Sequence, residues 1–446
     1  MTDIQLQTML AAGMLLALSA PHLDANGAYR NGNSPRAQGK AGADVAEAND
    51  PIGAMSVNPA GLTSQRRTTF QVGVTAVTAR GSHRNIANPE TDIRSRFGAV
   101  PEFGLATPVG SLPVVVGLAL TTDSALEGRW QLIDPPGGLG GATSYGLQEY
   151  RSKFLILRTG LGFGARINDR LSIGGSAGLI YNDNTLVMPY VFQSHPALTG
   201  LKTLFRMSSD GFGRNGQLGL IWKASDTLRF GVSYRTETTI KANGKASGNA
   251  GAQFAALGGA FAAFRPDFNY NVEVENVLPR LVSAGFLWSA RPDTRVSFQL
   301  DWINWSQAFD NLPVVLTGGD NADINGLLGT SQINDFIPLN WRDRFVYRLG
   351  LEHDLNENWR VRLGYSYGKN PVPAATTTPL TAAIFEHTVA VGASYAWSRY
   401  NVDLAYQHDF SNERAVGTSG MAAGEFNNSA TRVGLHSLGL AFGMTF

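Results

Sequence analysis

Gly174, Ser176 and Gly178 match the G-x-S-x-G pattern that surrounds the nucleophilic serine of many hydrolases. In those enzymes the serine lies on a sharp turn between a strand and a helix. Here the pattern lies inside a segment, 170–182, whose alternation is that of a β-strand, so Ser176 is not predicted to be a nucleophile. The chain also has no cysteine, which excludes thiolate chemistry and disulfides. We therefore predict no enzyme activity and no cofactor.

The histidines and one polar loop are the only candidates for a metal site. The seven histidines are scattered without an H-E-x-x-H pair, and His436 falls on the apolar side of a predicted strand. Residues 321–332 partly resemble a calcium-binding loop, but Asn321 and Gln332 stand where that loop has carboxylates. We interpret the loop as a polar surface turn and predict no metal.

Composition narrows the class of protein further. The chain has 446 residues, with 36 Lys+Arg against 35 Asp+Glu, and only 16% of its residues are charged, compared with roughly 25% in ordinary soluble domains. This balance leaves no broad basic surface, so no nucleic-acid partner is expected.

The start of the chain resembles an export signal. Residues 9–20 form an apolar run of signal-peptide length, too short to span a bilayer, although the residues before it include no Lys or Arg. We predict a signal peptide over residues 1–25, with a buried N-terminal helix as the alternative. No later stretch has 18 consecutive apolar residues, which excludes a helical membrane protein.

From Thr68 onward the sequence alternates between apolar and polar positions in fourteen segments, the pattern of half-buried strands. Long and short connections alternate between them, which is typical of outer-membrane barrels with short periplasmic turns and long outer loops. We predict an all-β fold, a 14-stranded antiparallel transmembrane β-barrel over residues 66–446, in the outer membrane of a Gram-negative cell. The predicted strands are 68–80, 99–107, 112–122, 150–167, 170–182, 211–224, 227–240, 274–290, 293–305, 341–355, 358–369, 386–397, 400–410 and 433–446.

The last predicted strand indicates which side of the wall faces lipid. Leu438 and Leu440 share one side, whereas Ser437 and Ala441 share the other. The apolar side is expected to contact outer-membrane lipid, because a charged residue there costs about 2–4 kcal/mol at the midplane. The strand ends at Phe446, and we expect it to be bound by the barrel-assembly machinery.

Residues 26–65 do not show strand alternation and are rich in Gly, Ala, Asn and Asp. Fourteen strands enclose more space than the eight whose side chains fill a barrel, so we predict that this segment is a hatch inside the lumen. It includes Asn58, Pro59 and Ala60, where Pro59 fixes its own φ and favours an extended Asn58 at the start of a turn.

Several further motifs occur along the mature chain. They are Gly42-Ala43-Asp44, Asn58-Pro59-Ala60-Gly61-Leu62, Leu278-Pro279, Trp302-Ile303-Asn304-Trp305-Ser306, Asn340-Trp341-Arg342-Asp343, and Arg362-Leu363-Gly364-Tyr365-Ser366-Tyr367 with Pro371-Val372-Pro373. Together they resemble the FadL/TodX family of outer-membrane transporters of long-chain fatty acids and other hydrophobic compounds. The resemblance implies an N-terminal hatch, an extracellular hydrophobic groove and a lateral opening at a kink in the third strand.

A hydrophobic loop, 249–264, is predicted on the outer side. Phe254, Leu257, Phe261 and Phe264 recur in it at nearly helical spacing. Exposed apolar patches usually mark binding sites, so these residues are candidates for a substrate groove or entry. A lid packed on neighbouring loops and a helix in the outer leaflet are the alternatives.

Phe154, Ile156 and Arg158 face inward in the fourth predicted strand and are candidates for a lumen binding site. Arg158 could bind a ligand carboxylate; the alternative is that it pairs with a carboxylate of the hatch or lumen. Pro113 and Gly117 are candidates for the lateral opening, because Pro cannot donate to a strand ladder and Gly often marks a bend.

The sequence thus predicts a monomer for passive uptake of a hydrophobic ligand by extracellular capture, hatch movement and lateral release. The candidate ligands are fatty acids, aromatic hydrocarbons, alkanes and terpenoids. The alternatives are a porin for polar solutes, an outer-membrane hydrolase and a surface adhesin.

Overall fold

The computed structural model describes residues 28–94, 98–381 and 385–446. The signal peptide predicted over residues 1–25 lies outside these ranges. Within them, no helix has the length and apolar character needed to cross a bilayer.

The described residues form fourteen antiparallel wall strands, of which four are interrupted. They are β1 Thr69–Arg84, β2 Gly98–Pro108, β3 Val114–Ile133, β4 Leu147–Arg166, β5 Leu171–Val191, β6 Lys202–Lys223, β7 Leu228–Arg235 and Thr238–Asn249, β8 Asp267–Leu278 and Leu281–Arg291, β9 Thr294–Ile303 and Asn311–Thr317, β10 Ile333–Pro338 and Arg344–Asp354, β11 Trp359–Gly368, β12 His387–Trp397, β13 Tyr400–Val416 and β14 Ser429–Thr445. β1 pairs with β14 from Thr69 opposite Thr445 to Arg84 opposite Ala430, which closes the wall. The predicted 14-stranded antiparallel barrel is confirmed.

Short helices occur in the N-terminal segment and in the connections. They are α1 Pro35–Gln38, α2 Pro51–Ser56, α3 Gly251–Leu257, α4 Trp305–Ala308 and α5 Ala322–Leu328, with 3-10 helices at Pro59–Ser64, Gly259–Ala263, Ala374–Thr376 and Ala422–Gly424, and a two-residue strand Thr91–Asp92 beside β1.

The two faces of the wall differ as the alternation predicts. Leu438 and Leu440 of β14 are 49% and 48% exposed, whereas Ser437 and Ala441 are buried. Exposed apolar side chains on a closed wall are suited to contact with lipid acyl chains.

Several strands extend further toward the long loops than the sequence pattern predicts, as β6 illustrates. Its inner face is polar at Gln217 and Asn215 but apolar at Met207 and Phe205, all of them buried. The opposite face is polar at this end, with Arg206 exposed. The alternation of outward apolar residues therefore ends before β6 does. A strand prediction that relies on this alternation does not include the outer part of the strand.

Candidate functional site

The N-terminal segment 28–65 packs against the inner side of the wall. Gln299 of β9 accepts hydrogen bonds through its Oε1 from the backbone nitrogens of Asp44, at 2.9 Å, and of the next residue, at 2.8 Å. Arg348 of β10 donates to the carbonyl oxygen of Ala41 at 2.9 Å. Polar inward side chains of the wall therefore hold this segment in place.

The segment contains its own buried ionic network. Lys40 Nζ lies 2.8 Å from Asp44 Oδ1 and 2.8 Å from Glu47 Oε2, and Arg36 Nη1 lies 2.8 Å from Asp44 Oδ1. All four side chains are buried. Buried charges are tolerated when they are paired and hydrogen-bonded, so this network allows a charged segment to fill the lumen.

Asn58, Pro59 and Ala60, the predicted hatch motif, connect the segment to the wall. Asn58 Oδ1 accepts a hydrogen bond from the Ala60 nitrogen at 3.1 Å, and Asn58 Nδ2 donates to the Leu220 carbonyl of β6 at 3.1 Å. Pro59 begins a 3-10 helix, where its missing N–H is not needed. A Cβ at Gly219 would overlap Asn58 Oδ1, so glycine in the wall makes room for the motif.

Arg158 is fully buried and binds protein atoms. Its guanidinium donates to the Met55 carbonyl of α2 at 3.0 Å, to Asn215 Oδ1 at 3.1 Å and to Ser176 Oγ at 2.8 Å. These partners are neutral oxygens, whereas the sequence suggested a carboxylate of the ligand, hatch or lumen. A Cβ at Gly178 would lie 2.6 Å from Arg158 Nε, so the apparent hydrolase motif provides space and one acceptor for this arginine.

An apolar cavity of about 180 Å³ lies where the inner face of the wall becomes apolar. Phe154 lines it and also packs against a buried cluster of Ile156, Ile180, Ile240 and Leu278, whose members do not line the cavity. Of the three predicted lumen residues, only Phe154 therefore lines the cavity. The cavity is lined mainly by Leu126, Met188, Tyr190, Met207, Phe309, Leu312, Ile337, Trp341, Leu380 and Met421, together with Phe154.

Aromatic rings connect this cavity to the N-terminal segment. The rings of Phe309 and Trp341 stack with centroids 4.6 Å apart, and Trp305 lies 5.0 Å from Trp341. Tyr29 of the N-terminal segment lies 5.4 Å from Trp305, and Ala28 lines the cavity itself. Movement of the N-terminal segment would therefore alter the lining of the cavity.

The hydrophobic loop is folded onto its neighbours. Phe254 of α3 is buried, and its ring centroid lies 5.6 Å from Phe264 and 6.3 Å from Phe261. Leu257 is 36% exposed. Gln253 accepts a hydrogen bond from the Leu139 nitrogen at 3.0 Å, which attaches α3 to another outer loop. This arrangement is that of the packed lid, one of the alternatives left by the sequence.

β2 and β3 separate partway along the wall. Their pairing ends where Phe103 stands opposite Leu120, whereas β3 continues beyond a bulge at Asp123. Residues 121–128 of β3 therefore have no strand partner on the β2 side among the described residues. Such an interruption removes backbone hydrogen bonds between β2 and β3, and we call this unpaired stretch the gap.

The two residues predicted for a lateral opening, Pro113 and Gly117, lie outside this unpaired stretch. Pro113 is in the turn before β3, and Gly117 is regularly paired with Ala106 on one side and Gly162 on the other. A Cβ at Gly117 would lie 2.8 Å from Leu62, so this glycine accommodates the N-terminal segment.

Arg30 crosses the gap between β2 and β3. Its Nη1 lies 2.6 Å from Glu102 Oε1 of β2, and its backbone nitrogen donates to the Asp123 carbonyl of β3 at 3.1 Å. Asp123 is also paired with Arg235 of β7 at 2.8 Å. The N-terminal segment thus connects both edges of the gap.

The family model of the outer membrane protein transport proteins (OMPP1/FadL/TodX) matches residues 16–446. The chain belongs to this family. Membership and the closed wall together place it in the outer membrane.

Relatives of this FadL/TodX family member are distant in sequence but match over nearly full length. The long-chain fatty acid transport protein of Escherichia coli (strain K12) is 22% identical over 450 residues, covering 92% of this chain and 93% of its own. The crystal structure of the Pseudomonas putida toluene transporter TodX is 18% identical with a TM-score of 0.74, covering 95% and 99%. A Pseudomonas aeruginosa FadL homologue is 15% identical with a TM-score of 0.74, covering 94% and 100%. At these identities the solved structures support a common fold.

Two of the FadL/TodX motifs meet in space. The Asn304 amide donates to Asp343 Oδ1 at 3.1 Å, and the Ser306 hydroxyl donates to the same oxygen at 2.7 Å. These bonds position Trp305 and Trp341 beside the cavity.

Sequence reasoning did not identify Arg30 or Asp123. Both are isolated charged residues without a local motif, because their partners come from distant strands. The interruption of an apolar run at Thr121-Thr122-Asp123-Ser124 was the available signal for the bulge.

Proposed function

We propose that this protein takes up hydrophobic small molecules passively across the outer membrane. In this proposal the ligand is captured at the outer loops, occupies the apolar cavity, and leaves between β2 and β3 after movement of the N-terminal hatch. The observation that supports it best is the apolar cavity, which is lined in part by Ala28 of the N-terminal segment, together with the burial of this segment against the inner side of the wall.

A porin for polar solutes is less consistent with this arrangement. A porin requires a continuous aqueous lumen, whereas here a segment with a buried ionic network packs against the inner side of the wall. A polar solute would also lose hydration in a cavity lined by Phe154, Met207 and Trp341 without gaining equivalent hydrogen bonds.

Gly128→Leu should reduce uptake by filling the cavity. Gly128 lines the cavity, and a Cβ there would have its nearest contact 3.8 Å away at Trp130 Nε1, so the new side chain can enter without strain at its base. We expect uptake of radiolabelled toluene by cells expressing this variant to fall roughly tenfold, equivalent to ~1.4 kcal/mol, relative to cells expressing the wild type.

The matched control is Gln131→Leu, which places the same side chain on the opposite face of β3. It should retain wild-type uptake, and cells without the protein should give the background. Equal uptake by Gly128→Leu and the wild type would show that the ligand does not pass through this cavity.

A reversible linker across the Arg30–Glu102 ion pair should stop lateral release. Because the chain has no native cysteine, Arg30→Cys and Glu102→Cys can be joined selectively by a cleavable bismaleimide. If the hatch must leave the edge of β2, uptake should fall to background with the linker in place and recover when it is reduced.

The control linker joins Arg84→Cys and Glu413→Cys, an exposed pair between β1 and β13 whose charged atoms are 2.8 Å apart. Uptake by this protein should be unaffected. Full uptake with the linker at positions 30 and 102 would contradict release through the gap between β2 and β3.

A further inference from the structure

One acidic side chain stands among the apolar residues of the cavity. Glu425 lies in the loop between β13 and β14, immediately after the 3-10 helix Ala422–Gly424, and lines the cavity together with Met421. The residue is 92% buried, being 8% exposed, and its Oε1 has no hydrogen-bond partner. A buried polar atom without a partner is costly unless a ligand or water satisfies it.

The charged groups near Glu425 neutralise one another without a contribution from its carboxyl group. Lys202 of β6 lies 2.6 Å from Asp134 Oδ1 in a buried pair, and its Nζ also donates to the Pro135 carbonyl at 2.7 Å. The Tyr150 hydroxyl donates to the same Asp134 at 3.2 Å. Lys202 is therefore already neutralised by another carboxylate.

Two other polar side chains that line the cavity, those of Tyr190 and Lys153, are also paired. The Tyr190 hydroxyl donates to Asp335 Oδ2 at 2.7 Å. Lys153, which lines the cavity, is paired with Asp183. Burial raises the pKa of Glu425 to about 8, with Lys202 lowering it and Asp134 raising it, so at neutral pH the carboxyl group is mostly protonated.

We propose that Glu425 acts as a neutral hydrogen-bond donor that selects uncharged hydrophobic ligands with an acceptor oxygen, such as aromatic ketones, over hydrophobic carboxylates. This inference rests on the proposed function and adds a substrate class to it. A carboxylate ligand would find no unpaired cation among the described cavity residues, and its charge would be desolvated. The cavity, at about 180 Å³, is close to the size of the 150 Å³ apolar cavity known to take up benzene.

The test uses four probes of similar size and different polar group: toluene, acetophenone, benzoate and benzylamine. Binding to the purified full-length protein in detergent is measured by isothermal titration calorimetry at pH 6.5. We expect acetophenone to bind the wild type roughly five- to tenfold more tightly than toluene, the effect of one added hydrogen bond, and benzoate to bind more weakly than either.

Two variants separate hydrogen bonding from packing. Glu425→Gln retains a neutral donor and should keep the preference for acetophenone, whereas Glu425→Leu should bind acetophenone and toluene equally. In the wild type the preference should be lost as pH rises through about 8, because the ionised carboxylate cannot donate, while Glu425→Gln should show no such pH dependence. A structural role alone would not produce this difference in pH profile.

Three results would overturn the inference. They are tighter binding of benzylamine than of acetophenone, tighter binding of benzoate than of acetophenone, and an unchanged preference for acetophenone over toluene in Glu425→Leu. Toluene uptake by cells expressing Glu425→Leu reports separately on the proposed function. If that uptake is normal while the acetophenone preference is unchanged, the donor role fails and the transport role stands.

Discussion

Deletion of residues 28–65 should turn the closed barrel into one that conducts ions. The segment packs against the polar inner side of the wall, and barrels only slightly larger than this one leave an aqueous channel when they are not filled. We expect single-channel conductance in planar bilayers to rise by roughly tenfold or more over the wild type. Cells expressing the deletion should also become sensitive to large antibiotics that the outer membrane normally excludes.

The wall should survive this deletion because two of its inward ion pairs join neighbouring wall strands. Arg348 Nε lies 2.7 Å from Asp301 Oδ2, and Arg362 Nε lies 2.6 Å from Glu352 Oε2. Folding can be checked by the heat-dependent shift of a β-barrel on a denaturing gel. A folded deletion protein that remains closed to ions would contradict the hatch assignment, whereas an adhesin would keep its surface binding without the segment.

The architecture could be predicted from sequence because the bilayer imposes a strict rule on each strand. In β14, Leu438 and Leu440 face lipid whereas Ser437 and Ala441 face inward, and this alternation marks a wall strand without knowledge of its neighbours. The same rule fails at the end of β6 that is nearer the preceding loop, where the apolar residues Met207 and Phe205 face inward. The outer ends of the strands, and the cavity between them, were therefore not predicted from the sequence.

The candidate site was only partly predictable because its contacts join residues far apart in the sequence. Phe154 could be placed inward by parity, but parity could not show that Arg158, on the same face, would be held by Met55 of the N-terminal segment. Pro113 and Gly117 have residue types that suit a bend, yet the bulge occurs at Asp123. A charged residue at a bulge is recognised only when its partners, here Arg235 and the backbone of Arg30, are in place.

Arg36→Met should strongly destabilise the hatch while the barrel wall remains folded. Arg36 is 4% exposed and is paired with Asp44, Glu47 and Asp50. Removing one partner of a buried network costs about 3–5 kcal/mol, because the remaining charges stay desolvated. Amide hydrogen exchange of residues 36–50, followed by mass spectrometry, should show a loss of protection of this size.

The control is Arg84→Met, which removes an exposed ion pair with Glu413. Surface pairs contribute about 0–1 kcal/mol, so protection in the hatch should not change. The double variant Arg36→Met/Glu47→Gln leaves the Lys40–Asp44 pair intact, at 2.8 Å, and should recover part of the loss. Additive effects of the two substitutions would argue against a coupled network.

Low pH should destabilise the hatch through the same ionic network, because Glu47 becomes protonated. Burial alone would raise the pKa of Glu47, but Arg36 and Lys40 outweigh it and lower the pKa from 4.5 to about 2. A carboxylate whose pKa is lower in the folded state stabilises that state fully above pH 4.5, and this stabilisation is lost as pH falls toward 2. Protection of residues 36–50 in the wild type should therefore decline over this range. Arg36→Met should move the decline to higher pH, since it removes a cation that holds Glu47 ionised, and Glu47→Gln should remove this component of the pH dependence.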